Sequence, residues 1–366
     1  MHPSDFNNLM VKLFMVISLT ATISACGSDD KPNNNNDASQ NTSEETYIYR
    51  QLEKQFCHAV LDTTHGYLCA IRPSMLDSSA RDIFAAGSAP DENFGFGYHA
   101  IAFPAAGTNI KGVYIHFTGS MGRAYDQNND RFPSTVILDE AMAAGFITIQ
   151  IAYHNRYSVN SPAECQGALD VDNCAGLVRR EKITGEDQTP VVDVPVADSI
   201  QQRLIHLINY LQSNGFEFPV PVISNNELQW QNVYLGGHSQ GAGHALYITK
   251  YWNSAHTCLL GGIIDVPDNV PEFPAELIAD WFLDNRVTVD ITKVRALLST
   301  DDEFYPEFIR AYDVLKLIED QHWQSFTAAA YFDQEGNTIS GHGAAVHDPA
   351  FAAQRNTACF TTDLFN

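Results

Sequence analysis

Continuous apolar runs dominate the hydrophobic pattern of this chain: residues 98–103, 113–117, 146–152, 233–236, 262–265, 294–299 and 328–332 each read as a strand. Several of them lack a polar face, which is the pattern of strands covered on both sides. Helical spacing fills the intervals. It is clearest where Ile200, Leu204, Leu207, Ile208 and Leu211 recur on one face, between Asp198 or Ser199 as N-cap and the Asn214-Gly215 stop. Strand alternating with helix predicts an α/β chain with a mainly parallel, twisted sheet and helices on both faces.

Two segments break the alternation. Residues 154–195 hold a cysteine pair and many polar residues, and residues 266–290 hold Pro267, Pro271, Pro274 and Trp281. Both read as excursions over the carboxyl edge of the sheet, where open α/β sheets bind ligands. They are either caps over a site or surface decoration.

The beginning of the chain follows a different pattern. Lys12 precedes a mostly apolar stretch, residues 13–23, which is shorter than the roughly 20 residues needed to cross a bilayer. Residues 1–26 therefore read as an export signal. Its closing tetrapeptide, Ile23-Ser24-Ala25-Cys26, resembles a bacterial lipobox. The resemblance implies that Cys26 is lipidated and becomes the mature N-terminus; the plainer alternative is an ordinary cleaved signal with an incidental cysteine. Either way the protein is expected to be exported, and in the first case it is a cell-envelope lipoprotein touching membrane only through its anchor. Residues 27–46, rich in Asn, Asp and Ser, read as a polar tether.

The 366 residues, 45% of them hydrophobic, suffice for one large α/β domain or two ordinary ones, and no second boundary is visible, so residues 47–366 read as a single domain. A formal charge of −23, from 21 basic against 44 acidic residues, argues against a nucleic-acid partner, which needs clustered Lys and Arg. Beyond Cys26 lie Cys57, Cys69, Cys165, Cys174, Cys258 and Cys359. An even number in an exported chain suits disulfides, and six cysteines allow fifteen pairings. Short separations favour Cys57 with Cys69 and Cys165 with Cys174, leaving Cys258 with Cys359.

The chemistry centres on Gly237-His238-Ser239-Gln240-Gly241, reached through Val233-Tyr234-Leu235 and followed by a helix-like stretch, residues 240–251. This fits a sharp strand-to-helix turn presenting a nucleophilic serine, and the small residues Gly241, Ala242 and Gly243 allow the close approach such a turn demands. A serine hydroxyl needs a histidine to take its proton and a carboxylate to hold that histidine. Downstream, the strand 294–298 runs into Ser299-Thr300-Asp301-Asp302, and the expected last strand, 328–332, is followed by Gly341-His342-Gly343. Flanking glycines would carry His342 on a tight loop. His347 competes with His342, and Asp301 and, more distantly, Asp265 compete with Asp302. Near the start of the sheet, the strand 113–117 leads into Thr118-Gly119-Ser120-Met121-Gly122, a small flexible loop able to offer backbone N–H groups.

This order of oxyanion-type loop, serine, acid and histidine is similar to that of α/β-hydrolases. The resemblance covers about residues 98–350. It implies Ser239 as nucleophile, His342 as base and Asp302 as orienting acid, since the acid of that family often follows a small residue by three positions and precedes a hydrophobic-Pro pair, here Ser299 and Tyr305-Pro306. It implies an oxyanion hole made by the N–H of Gln240 and a second from Ser120 or Met121. The loop departs from the family's His-Gly pattern, because Phe117 and Thr118 separate His116 from Gly119, and His116 is expected to brace the loop. Tyr153, with His154 and Asn155, and His238 are candidates for the substrate pocket or for plain packing.

No metal or cofactor is expected. Asp126, Asn128 and Asp130 have the spacing of a calcium loop, but Arg131 and Ile137 stand where Gly and Glu are needed, and no histidine pair has zincin spacing. The favoured reading is hydrolysis of small or polymeric carboxylic esters. A peptidase or acyltransferase on the same fold, and a noncatalytic binding lipoprotein, are the alternatives.

Overall fold

A computed structural model of the chain describes residues 50–82, 97–168, 170–265 and 279–361. The export signal 1–26 with Cys26, the tether 27–46 and residues 266–278 of the second excursion lie outside them.

Nine strands form one sheet in the order β1-β2-β3-β5-β4-β8-β9-β10-β11. The first three, β1 (Ala59–Asp62), β2 (Gly66–Ile71) and β3 (His99–Pro104), run antiparallel to their neighbours. The rest are parallel: β4 (Gly112–Phe117), β5 (Phe146–Gln150), β8 (Tyr234–His238), β9 (His256–Leu260), β10 (Val294–Ser299) and β11 (Trp323–Phe326). Two short hairpins, β6–β7 (Ile223–Ser224, Glu227–Leu228) and β12–β13 (Tyr331–Phe332, Thr338–Ile339), stand apart.

Side-chain alternation along the parallel strands makes both faces apolar. Val113, Ile115 and Phe117 of β4 join one core while Tyr114 joins the other. The first core is closed by α3 (Cys174–Thr184), α4 (Ile200–Ser213), α5 (Gln240–Trp252), α6 (Asp280–Leu283) and α7 (Tyr305–Leu315), through residues such as Val178, Leu204, Leu246, Trp281 and Phe308. The second is closed by α2 (Thr135–Ala143), α8 (Gly341–His347) and α9 (Ala352–Phe360), through Ile137, Val346 and Phe360. The short α1 (Pro73–Leu76) follows β2. The chain therefore has the expected α/β fold, a mainly parallel sheet with helices on both faces. The helix α4 is bounded as its sequence predicts: the Ser199 hydroxyl accepts from Gln202 N–H, and Asn214 and Gly215, with Gly215 at φ +80°, end it.

The strand order places the site. From β4 the chain passes outward to β5, then returns to β8 on the other side of β4. Loops leaving the carboxyl ends of β4 and β8 diverge, which opens a crevice there. Residues 118–122 follow β4 and Ser239 follows β8.

Two strands lie elsewhere than the apolar pattern predicts. Residues 262–265 are not a strand; the strand is β9, just upstream. Its polar residues are satisfied by partners outside the strand: Thr257 shares a hydroxyl cluster with Thr249 and Ser254, His256 donates to the Ala358 carbonyl at 2.7 Å, and Cys258 is bonded to Cys359. Residues 328–332 do not end the sheet either. The edge strand is β11, and Tyr331–Phe332 pairs only with Thr338–Ile339. The antiparallel β1 and β2 add to the expected strands, and β2 does so although Tyr67-Leu68-Cys69-Ala70-Ile71 is itself a continuous apolar run. All three disulfides follow the favoured pairing, Cys57–Cys69, Cys165–Cys174 and Cys258–Cys359. Among the described residues, no helix is long and apolar enough to cross a membrane.

Candidate active site

Ser239 sits between β8 and α5 with φ 54° and ψ −121°, a conformation that L side chains rarely adopt. Its surroundings force the turn. Ser239 N–H donates to the Leu260 carbonyl on β9 at 3.0 Å, and its own carbonyl accepts from Ala242 N–H at 3.0 Å. A Cβ on Gly237 would lie 2.2 Å from the Gly241 carbonyl carbon, and one on Gly241 would lie 2.2 Å from the Phe117 carbonyl oxygen. Strand β8, helix α5 and the end of β4 thus approach more closely than any side chain permits. Gln240 is the first residue of α5, where backbone N–H groups have no partner within the helix.

The acid and the histidine come from the other end of the chain. After β10, Asp302 turns back with its N–H on the Ser299 carbonyl, and its Oδ1 accepts from Phe304 N–H at 2.9 Å. Its Oδ2 meets His342 Nδ1 at 2.7 Å, and the carboxylate is fully buried. Asp301 points away, accepting from Tyr331 and Thr327 hydroxyls at 2.6 and 2.9 Å. Asp265 is engaged elsewhere, by Arg179 and by Trp281 Nε1. Of the three acids, Asp302 is the one paired with His342. The pairing puts a proton on Nδ1 and leaves Nε2 with the basic lone pair.

His342 does not ride on a loop as expected. It lies in the first turn of α8, whose N-cap Ser340 accepts from Gly343 N–H at 3.2 Å. The glycines on either side read as loop residues, but Gly341 is pressed against Asp301, where a Cβ would lie 2.8 Å from its carbonyl, so it serves close packing of the helix start. The competitor His347 ends the same helix; burial lowers its pKa, and it does not line the cavity.

A cavity of about 350 Å³ opens on Ser239 and His342. The loop after β4 forms one wall with Gly119, Ser120 and Met121, and Phe304 and Phe308 form another around His342, their ring centroids 5.4 and 6.3 Å from its own. Ile264 and Gly262 close the side next to β9. Ser158, Val159, Asn160 and Arg179 line it as well. The excursion 154–195 is therefore a wall of the cavity and not mere decoration. It is fastened to Gln240 twice: Arg179 Nη1 donates to the Gln240 carbonyl at 3.1 Å, and the Gln240 side chain accepts from Val159 N–H at 2.8 Å. Arg179 also forks onto the buried Asp265 carboxylate, so its charge is neutralised within the wall.

The loop after β4 is braced from below. Asn155 Nδ2 lies within 3.0 Å of Thr118 Oγ1 and of the Gly119 and Gly122 carbonyls, and the Tyr153 hydroxyl donates to the Thr118 carbonyl at 2.5 Å. Two expectations are corrected here. Met121 lines the cavity, but its N–H already donates to the Asn155 carbonyl at 2.7 Å and is not open to the oxyanion part expected of it. Tyr153 is fully buried and does not line the cavity, so it packs and braces. His116, expected to brace the loop, is buried in β4, which takes its pKa down to about 3, and its Nδ1 pairs with the Tyr114 hydroxyl of the same strand at 3.0 Å. His238 does line the cavity.

Sequence reasoning missed Phe304, Phe308, Val159, Asn160 and Arg179. Phe304 had a signal, its place between Asp302 and the Tyr305-Pro306 helix start. The others had none, because only the folded excursion and α7 bring them to Ser239. The residues with calcium-loop spacing hold one another instead: Asp126 accepts from Arg123, from Asn128 N–H and from Asn129.

No protein-family model and no curated protein matches the chain. Solved structures do. An S-formylglutathione hydrolase from Agrobacterium tumefaciens is 12% identical, with 74% of this chain and 89% of that chain covered at a TM-score of 0.38. A Pyrococcus furiosus esterase is 8% identical over 79% and 100% of the two chains, with a TM-score of 0.37. A Staphylococcus aureus fluorophosphonate-binding serine hydrolase is 11% identical over 72% and 90%, with a TM-score of 0.35. Likeness at this level carries no argument about what this chain does.

Proposed function

We propose that this chain is a serine hydrolase of the α/β-hydrolase type that cleaves carboxylic esters through an acyl-enzyme. The observation that carries the reading is the strained turn at Ser239, opening on the same cavity as a histidine whose Nδ1 is held by a buried carboxylate. Ser239 Oγ attacks the ester carbonyl carbon while His342 Nε2 takes its proton. Negative charge develops on the carbonyl oxygen, which the N–H groups of Gln240 and Ser120 receive. The C–O bond to the alcohol then breaks, and His342 returns the proton to the departing oxygen. Water, deprotonated by the same Nε2, attacks the acyl carbon; the C–O bond to Ser239 Oγ breaks, Nε2 returns the proton to Oγ, and the acid leaves. Asp302 holds the tautomer and steadies the imidazolium. Each step uses groups of the chain and water alone.

Esters are favoured over charged substrates because the walls beside His342 are aromatic and the one arginine among the lining residues is committed to Asp265. Activity on p-nitrophenyl esters of graded chain length, with Ser239→Ala as control, tests the reading. Full activity in the variant sinks it.

We further propose that the protein is exported and anchored through a lipid on Cys26, with residues 27–46 as tether. The lipobox resemblance and three disulfides in the folded part support this. Cys26→Ser should abolish incorporation of a palmitate analogue; incorporation that persists overturns it.

A further inference from the structure

His238, beside the nucleophile, has no part in the acyl-transfer steps above, yet it stands where three loops of the site meet. Its Nε2 lies 2.9 Å from the main-chain carbonyl of His342. Its ring lies 4.7 Å from the His342 ring, centroid to centroid. On the opposite side it is pressed against the loop after β4: a Cβ on Gly119 would lie 3.1 Å from His238 Nδ1. Gly261, at the end of β9, approaches as well, since a Cβ there would lie 3.5 Å from His238 Nε2 and 3.3 Å from the His342 carbonyl oxygen.

We propose that His238 is a positioning residue, which ties the backbone of the base to the nucleophile turn by donating a hydrogen bond from Nε2 to the His342 carbonyl. This rests on the hydrolase reading of Ser239 and His342. A carbonyl can only accept, so the proton must sit on His238 Nε2, and the neutral ring then leaves Nδ1 bare against Gly119. Burial favours that neutral form, and so do the neighbours that face the ring: His342 and His347 from α8 and His116 from β4 all hold its pKa well below the ordinary histidine value. The consequence is mechanical. Asp302 fixes the His342 ring from one side, whereas His238 fixes the first turn of α8 from the other, so the base cannot drift from Ser239 as that helix moves.

The link matters because displacement of a catalytic group by about 1 Å can lower the rate ~100-fold. His238→Phe keeps an aromatic ring but loses the donor; His238→Gln places an amide N–H near the position of Nε2. The expected result is a fall in kcat of about 10- to 100-fold for H238F with KM changed less than about threefold, and recovery to within about threefold of the native rate for H238Q. Native kcat in H238F, or a Gln variant as impaired as the Phe variant, overturns the proposal, the latter by assigning the effect to ring packing. A second measurement does not depend on activity or on the folding of a variant. Nitrogen-15 spectra of the histidine rings in the native protein should show His238 as the Nε2–H tautomer. An Nδ1–H tautomer overturns the hydrogen bond outright. Full activity in Ser239→Ala would instead sink the hydrolase reading and leave the tautomer result standing, so the two failures are told apart.

Discussion

The turn at Ser239 and the arm that carries His342 are built by different means. From Tyr234 to Trp252 the chain is one uninterrupted strand, turn and helix, and every constraint on Ser239 is either local or comes from a neighbouring strand. The arm that carries His342 is assembled from distant pieces. Asp302 follows β10, His342 opens α8, and the two are 40 residues apart in sequence. Between them run α7, the edge strand β11 and the hairpin β12–β13. A turn enforced by close contacts tolerates no side chain where glycine stands. An assembly held by hydrogen bonds depends instead on each donor finding its acceptor.

That contrast sets the expected losses. Removing the nucleophile should be most severe: Ser239→Ala is expected to lower kcat by ~10⁶ with little change in folding, as measured on a p-nitrophenyl ester. A loss under tenfold would deny the turn its chemical part. On the other arm, Asp302→Asn should lower kcat by ~10⁴, because the wrong tautomer of His342 is then favoured. The adjacent Asp301→Asn should change kcat by less than about threefold, since its carboxylate faces Tyr331 and Thr327. Reversed effects would move the arm's anchor to Asp301.

Gly241→Ala probes the turn without touching a reacting group. The added methyl meets the Phe117 carbonyl, so kcat should fall ~100-fold and stability by about 1–3 kcal/mol in urea unfolding. A variant as active and stable as the native protein would mean that the turn is not sterically enforced.

A pH effect on stability alone concerns the tie between β9 and α9. His256 on β9 donates to the Ala358 carbonyl of α9, and burial lowers its pKa from 6.5 to about 4. The folded state therefore binds fewer protons than the unfolded chain between those values. Stability is complete above about pH 6.5 and declines as pH falls towards 4, by at most roughly 1.4 kcal/mol per pH unit for this group. Urea midpoints at graded pH should show the decline, and His256→Gln should make it shallower by this group's share, the other buried histidines keeping theirs. An unchanged slope would separate His256 from the effect.

The same contrast explains what could be read from the sequence. Gly237, Ser239 and Gly241 announce a steric requirement within a few residues, and the strand and helix around them lie where their pattern places them. Helix α4 was legible for the same reason, with its Ser199 cap and its Gly215 stop. Residues 256–260 were not, because their polar side chains are satisfied outside the strand, Thr257 by Thr249 and Ser254, and His256 and Cys258 by Ala358 and Cys359, which adjoin them only in the fold. His342 could be singled out in the sequence, but its setting could not. Its glycine neighbours suggest a loop, whereas packing against Asp301 and the Ser340 cap make it the first turn of a helix. Met121 illustrates the limit most sharply: its place in the loop was right, yet its N–H is consumed by Asn155.

The central claim is that Ser239 is an activated nucleophile held by both regions together. Incubation of the folded protein with a fluorophosphonate, followed by peptide mass mapping, tests it most directly. The account predicts a single adduct on Ser239, lost in Ser239→Ala and formed far more slowly in Asp302→Asn. No adduct on the native protein, or one carried by another residue and retained in Ser239→Ala, would contradict it.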